Sequence, residues 1–122
     1  MSTTLTAQLN ENVLVATIDG KIDGQTVTGL QARILETIAT AQAAVLEVSK
    51  VGYMSSAGFR MLLLAHRTMA AKGGRLALVG LSDDVRETME MTGFLPFFLL
   101  ADSLSQAMEQ MTDESASRAT AG

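Results

Sequence analysis

Polar and apolar residues alternate through TTLTAQL and again through VLVATID, with Asn10-Glu11-Asn12 between the two runs. A period of two marks strands that bury one face, and a polar turn joining two such runs predicts a β-hairpin. The period then changes. Gly20 and Gly24 bracket a short turn, GKIDG, after which Val27, Leu30, Ile34 and Ile38 recur at helical spacing. Gln31, Arg33 and Glu36 fall elsewhere around that helix, which makes it amphipathic. AAVLEVSKVGYM is a β-branched apolar run of the kind found in a buried strand. Ser56 to Lys72 reads as a long helix stopped by Gly73-Gly74, since glycine readily takes the left-handed conformation that ends helices. RLALVGL is the next strand. SDDVRETMEMTG is a short helix with Ser82 as its cap, Asp83 and Asp84 at its positive end, and Gly93 behind it. PFFLLA reads as the last strand, with Pro96 at its entrance, where a missing N–H does little harm. Ser103 and Gln106 form a capping box for SLSQAMEQM.

The resulting order, β-β-α-β-α-β-α-β-α, predicts an α/β domain with a largely parallel or mixed sheet. It fills residues 1–111 without linker or internal repeat, and 122 residues suit a single domain. The remainder, 112–122, has no apolar face and is expected to be disordered. Only 4% of residues are aromatic, so Leu, Val, Ile, Ala and eight methionines are expected to fill the core.

Composition mainly excludes. The net charge is −4 and the nine basic residues are scattered, so nucleic acid is not an expected partner. With no cysteine and one histidine, His66, neither a disulfide framework nor a thiolate or multi-histidine metal site is available. No cofactor is expected: G-x-x-x-x-G-K-[ST] and G-x-G-x-x-G are both absent, and Gly73-Gly74 follows a helix instead of preceding one. The N-terminus lacks a basic region followed by an apolar one, and no apolar run approaches the ~18 residues that span a bilayer. The expectation is a soluble cytosolic protein with no direct membrane insertion.

The chemistry of interest lies in YMSSAG, where Ser55 and Ser56 sit between the buried strand and the long helix. Either hydroxyl could cap the helix. The same position suits a phosphate, because free N–H groups and the helix dipole point at any anion there. A phosphoserine would add about −1.5 to −2 charges and three acceptor oxygens. A hydrolase nucleophile is a poor third reading. Ser56 and His66 are ten residues apart on one helix, about 15 Å at ~1.5 Å per residue, whereas a Ser–His pair needs about 3 Å. In GKIDGQT, Asp23 or Thr26 caps the following helix, and Asp23 gains further interest only if the turn lies near the serines. On the long helix, Gly58, Leu62, Ala65 and Met69 form the core stripe. Arg60 and Arg67 lie nearly opposite, flanked by Leu63 and Leu64. That outer face is either a partner surface or a helix covered on several sides.

Four stretches together resemble the STAS domain in its small stand-alone form, the anti-sigma factor antagonists of bacteria. GKIDGQT is similar to that family's G-E-[IL]-D-x-x-T turn, with Lys21 in place of the usual Glu. VLEVSKVGYMSSAG is similar to its strand, connector and D/S-S-[SA]-G loop. HRTMAAKGGRLALVGLSDDVRETMEMTGF follows its helix, Gly-Gly turn, strand and helix, and LADSLSQAM its final capped helix. The resemblance covers residues 4 to 111. It implies a small, mostly parallel sheet with about four helices packed mainly on one side. It also implies a non-enzymatic regulatory cycle. The unphosphorylated protein binds an anti-sigma factor that is a serine kinase of the GHKL class. Phosphorylation of one serine releases it, and a PP2C-type phosphatase resets the system. By position the acceptor is Ser56, with Ser55 as second candidate. Asp23, Thr26, Ser55, Ala57, Gly58, Arg60, Leu63, Leu64 and Arg67 become the expected partner surface. The alternative within the resemblance is an accessory subunit of a lipid or anion transport complex, without a phospho-switch.

Overall fold

The computed structural model describes residues 3–111, and the expectation for 112–122 lies outside them. The hairpin forms as the alternation predicts: β1 (Thr4–Asn10) pairs antiparallel with β2 (Val13–Asp19), with Asn10 opposite Val13. The two turn residues, Glu11 and Asn12, both have positive φ, 51° and 71°. A two-residue loop of that kind matches the twist of the strands it joins.

From β2 onward every neighbour is parallel: β3 (Ala43–Lys50), β4 (Arg75–Val79) and β5 (Leu99–Ala101), in the sheet order β1-β2-β3-β4-β5. The crossovers are α1 (Val27–Ile38), α2 (Ser56–Ala71) and α3 (Asp83–Thr92). Each steps one strand in the same direction, and the fixed hand of β-α-β units then places all three helices on one face. There Leu30, Ile34 and Ile38 of α1, Leu62 and Met69 of α2, and Val85 and Met89 of α3 share one core with Ile18, Leu46 and Leu78 of the sheet. The opposite sheet face presents Val15, Val45, Ala77 and Val79, which pack with Ala107 and Met111 of α4 (104–111). The fold is thus a five-stranded mixed sheet with three helices on one side and one on the other.

Local details follow from the sequence with a few corrections. Ser82 caps α3 by accepting from Val85 N–H at 3.2 Å, and Gly93 ends it with φ 81°. Gly73 (φ 73°) ends α2. Lys72 just before it places its ammonium 2.6 Å and 2.9 Å from the carbonyls of Ile38 and Ala39, satisfying the C-terminal end of α1. PFFLLA is not one strand. Leu95–Phe97 form a 3₁₀ turn with Pro96 inside its first residues, and β5 begins only at Leu99. Proline's fixed φ suits a helical first turn better than a strand. The Ser103–Gln106 box closes one residue wide. Gln106 N–H donates to Ser103 Oγ at 3.1 Å, but Gln106 Oε1 accepts from Asp102 N–H instead of that of Ser103. The methionines are not all interior. Met54, Met61, Met69, Met89 and Met111 are buried, whereas Met91 is 80% exposed on the outer side of α3. Among the described residues no helix is long and apolar enough to cross a membrane.

Candidate functional site

The turn after β2 and the connector after β3 are far apart in sequence and fastened together in space. Ile22 N–H donates to Tyr53 O at 3.1 Å, and Ser55 N–H donates to Ile22 O at 2.9 Å. These bonds form an isolated parallel bridge, Ile22 to Met54. Ile22 is fully buried, so an apolar residue flanked by the polar Lys21 and Asp23 acts as the bolt. It seats against Gly58. A Cβ added at Gly58 would stand 2.9 Å from Ile22 Cγ2 and would also overlap the Met54 side chain. The glycine is therefore what lets α2 begin directly against the bridge.

On one side of the bridge, Asp23 and Thr26 cap each other. Asp23 Oδ1 accepts from Gln25 N–H at 2.9 Å and from Thr26 N–H at 3.1 Å. Thr26 Oγ1 accepts from Asp23 N–H at 3.0 Å and donates to Lys21 O at 3.0 Å. The sequence left open whether Asp23 or Thr26 caps α1. Thr26 is the N-cap residue, but neither side chain bonds an N–H of α1 itself; the two instead close a reciprocal box over the turn that leads into the helix. The backbone N–H donors of Thr26 and Gln25, aided by Lys21, hold the Asp23 carboxyl below its ordinary range. It is an ionised acid at the surface. A group with a depressed pKa stabilises the fold above its unfolded value, about 4, and that contribution is lost as pH falls through the folded value. Asp23→Asn keeps the acceptor oxygen and removes the charge. In urea titrations the gap in midpoint between wild type and Asp23→Asn should be constant above about pH 4 and close below it. A gap that stays constant down to pH 2 contradicts this role.

On the other side, the two serines differ sharply. Ser55 is the N-cap of α2, with extended backbone (φ −82°, ψ 173°), yet its hydroxyl makes no capping bond. Its Oγ is buried and has no hydrogen-bond partner among the described residues. The expectation that a serine side chain caps this helix therefore fails. The bridge draws the Ser55 N–H to Ile22, and the side chain is left turned into the packing. Ser56, the first residue of the helix, is exposed. The first turn of α2 carries no acidic residue, so the positive end of the helix dipole is not offset from within the helix.

Beyond the serines, Ala57 is half-buried and Gly58 buried, while Arg60 and Arg67 are exposed. Leu64 is 38% exposed and Leu63 half-buried. At about 100° per residue, Ser56, Arg60, Leu63, Leu64 and Arg67 fall within about 100° of the helix circumference. Arg60, Leu63, Leu64 and Arg67 thus form one ridge along α2 with Ser56, and Asp23 and Thr26 lie beside its Ser56 end, whereas Gly58, expected on the same surface, is instead turned into the core against Ile22 and Met54. Arg67 lies about 16 Å from Ser56 along the axis. Sequence reasoning missed two contributors: Ile22, and Tyr53, which is 54% exposed next to the serines. An aromatic residue inside YMSSAG was the available signal for the second.

His66 takes no part in this site. Its ring packs against Phe98 and Phe97, with centroids 5.7 Å and 6.4 Å away, and borders a depression of about 300 Å³ at the other end of α2. Among the described residues no cluster of three or more His, Cys, Asp or Glu could hold a metal ion. What the site can do chemically is present one hydroxyl, beside one ionised carboxylate, on a ridge able to meet another protein.

Comparison with known proteins agrees with this fold. The family model described as "STAS domain" matches residues 4–107. A protein of Bordetella bronchiseptica named as an anti-sigma factor antagonist, BtrV, is 31% identical over 104 residues, covering 84% of this chain and 90% of its own. Among solved structures, an anti-sigma factor antagonist from Mycobacterium paratuberculosis superposes with a TM-score of 0.83 at 24% identity, covering 91% of this chain and 95% of that one. The antagonist SpoIIAA in its unphosphorylated form superposes with a TM-score of 0.74 at 20% identity, covering 90% and 97%.

Proposed function

The chain belongs to the STAS domain family, and from that premise we propose that it is an anti-sigma factor antagonist whose grip on its partner is switched at Ser56. The unphosphorylated form binds a serine-kinase anti-sigma factor of the GHKL class through the α2 ridge and the adjoining turn. The kinase transfers the γ-phosphoryl group of ATP to Ser56 Oγ, the hydroxyl proton leaves, and ADP is released. The phosphorylated protein lets go. A PP2C-type phosphatase hydrolyses the ester to serine and inorganic phosphate, and the cycle restarts. Because the cycle consumes ATP, this reading puts the protein in the cytoplasm. The chain itself is the substrate and carries out no catalysis.

The observation that carries this reading is the contrast between the serines. Ser56 is exposed at the head of α2, whereas the Ser55 Oγ is sealed from solvent. A kinase reaches the first without unfolding anything and cannot reach the second. Incubation with the serine-kinase anti-sigma factor of the same source and ATP should add the mass of one phosphate to wild type and to Ser55→Ala, and none to Ser56→Ala. Equal labelling of Ser56→Ala would refute the assignment.

A further inference from the structure

Ser56 and Arg60 are one turn apart on the exposed side of α2. Side chains four residues apart on a helix are neighbours, with about 5–6 Å between their Cβ atoms. Arg60 has no hydrogen-bond or ion-pair partner among the described residues. No acidic residue occurs anywhere in α2, so nothing on its own helix competes for the guanidinium. The other charged or titratable groups bordering Ser56 come from the elements packed against it. These are Lys21 and Asp23 on the turn, Lys50 at the end of β3 and Tyr53 on the connector. Asp23, on the turn bridged to this loop, is ionised and carries a charge of the same sign as a phosphate.

Building on the reading of Ser56 as the acceptor, we propose that Arg60 is the positioning residue of the switch: it closes over the phosphate carried by Ser56 and holds it as a dianion at the head of α2. Geometry and charge agree. The acidic partner stands N-terminal to the basic one, the better of the two orders at this spacing. A guanidinium offers a phosphate two parallel N–H donors, and the helix dipole favours negative charge at the same end. The consequence reaches the partner surface. Before phosphorylation Arg60 is free to meet acidic groups on a bound protein. Afterwards it is engaged at home, and the Ser56–Arg60 pair changes from one positive charge to roughly one negative. The phosphate thus withdraws a contact as well as adding a repulsion.

The test uses the full chain with phosphoserine installed at position 56 during translation, titrated by ³¹P NMR. The second ionisation of a free phosphoserine is centred at about pH 6. The wild-type midpoint should lie about 0.2–0.4 of a pH unit below that of Arg60→Gln. Arg60→Lys should recover most of the difference, and Arg67→Gln, about 16 Å along the helix, should titrate as wild type. Identical midpoints in wild type and Arg60→Gln would overturn the proposal, as would an equal displacement by Arg67→Gln. No kinase is needed for this measurement. Absence of enzymatic labelling at Ser56 would remove the functional reading while the clamp stays measurable, and identical midpoints would remove the clamp while the labelling result stands.

Discussion

Aspartate at position 56 should weaken the kinase partner's hold about ten- to thirtyfold, and full phosphorylation about a hundredfold or more, while Ser56→Ala binds like wild type. The size follows from where the charge goes. Ser56 is exposed at the head of the ridge and beside an ionised Asp23, so a bound partner must cover it together with a carboxylate. Desolvating an added anion there, next to a like charge, costs several kcal/mol, and each 1.4 kcal/mol is a tenfold change in affinity. Aspartate carries one charge where phosphate carries about −1.5 to −2, hence its smaller effect. Alanine removes only a hydroxyl that makes no hydrogen bond within the described residues. Calorimetric titration of the kinase with the three forms and the phosphoprotein measures all of these. Equal affinities for the alanine and aspartate variants would end the switch and favour a permanently docked accessory subunit.

Much of this architecture could be read from periodicity, because most of the rules involved are local. Alternation located the hairpin, the 3.6-residue spacing of Leu30, Ile34 and Ile38 located α1, and Ser82 and Gly93 bounded α3. Where the reading failed, tertiary context decided. In PFFLLA five of six residues are apolar, and a short apolar run has no period to distinguish strand from helical turn. Pro96 settles its first half as 3₁₀, and pairing with β4 leaves only Leu99–Ala101 as strand. Met91 is apolar like a core residue but lies on the solvent side of the short helix α3.

The candidate site divides the same way. GKIDGQT and YMSSAG each have a recognisable shape, but that they form one site depends on the Ile22–Met54 bridge, which spans 32 positions of sequence. Nothing local encodes that contact. The choice between Ser55 and Ser56 is equally hidden. Both are sound helix starters, and only the bond from Ser55 N–H to Ile22 O turns one inward and leaves the other in solvent. Family resemblance supplied the pairing of turn and loop, and the bridge gives the physical reason for it.

That bridge makes Gly58 a position where a single added side chain meets the packed fold directly. Two effects oppose each other at Gly58→Ala. Alanine in a helix interior gains about 1 kcal/mol over glycine. The new Cβ, however, would lie 2.9 Å from Ile22 Cγ2 and overlap Met54, and overpacking of this kind costs about 1–3 kcal/mol. Met54 is flexible and can yield. Ile22 is β-branched, fully buried and held at both backbone groups, so it cannot move without opening the bridge. Alanine should therefore be close to neutral or destabilising by up to about 2 kcal/mol. Valine adds two methyl groups in the same space and should cost about 3 kcal/mol or more, a fall in melting temperature of roughly 10 °C. The loss should be felt first where the clash is. The amides of Ile22 and Ser55 should exchange with solvent much faster in Gly58→Val, well before those of β3 and β4, because local opening precedes global unfolding. A valine variant that melts with wild type and keeps both amides protected would show that α2 does not need its glycine, and that turn and serine loop are held together by something other than this bolt.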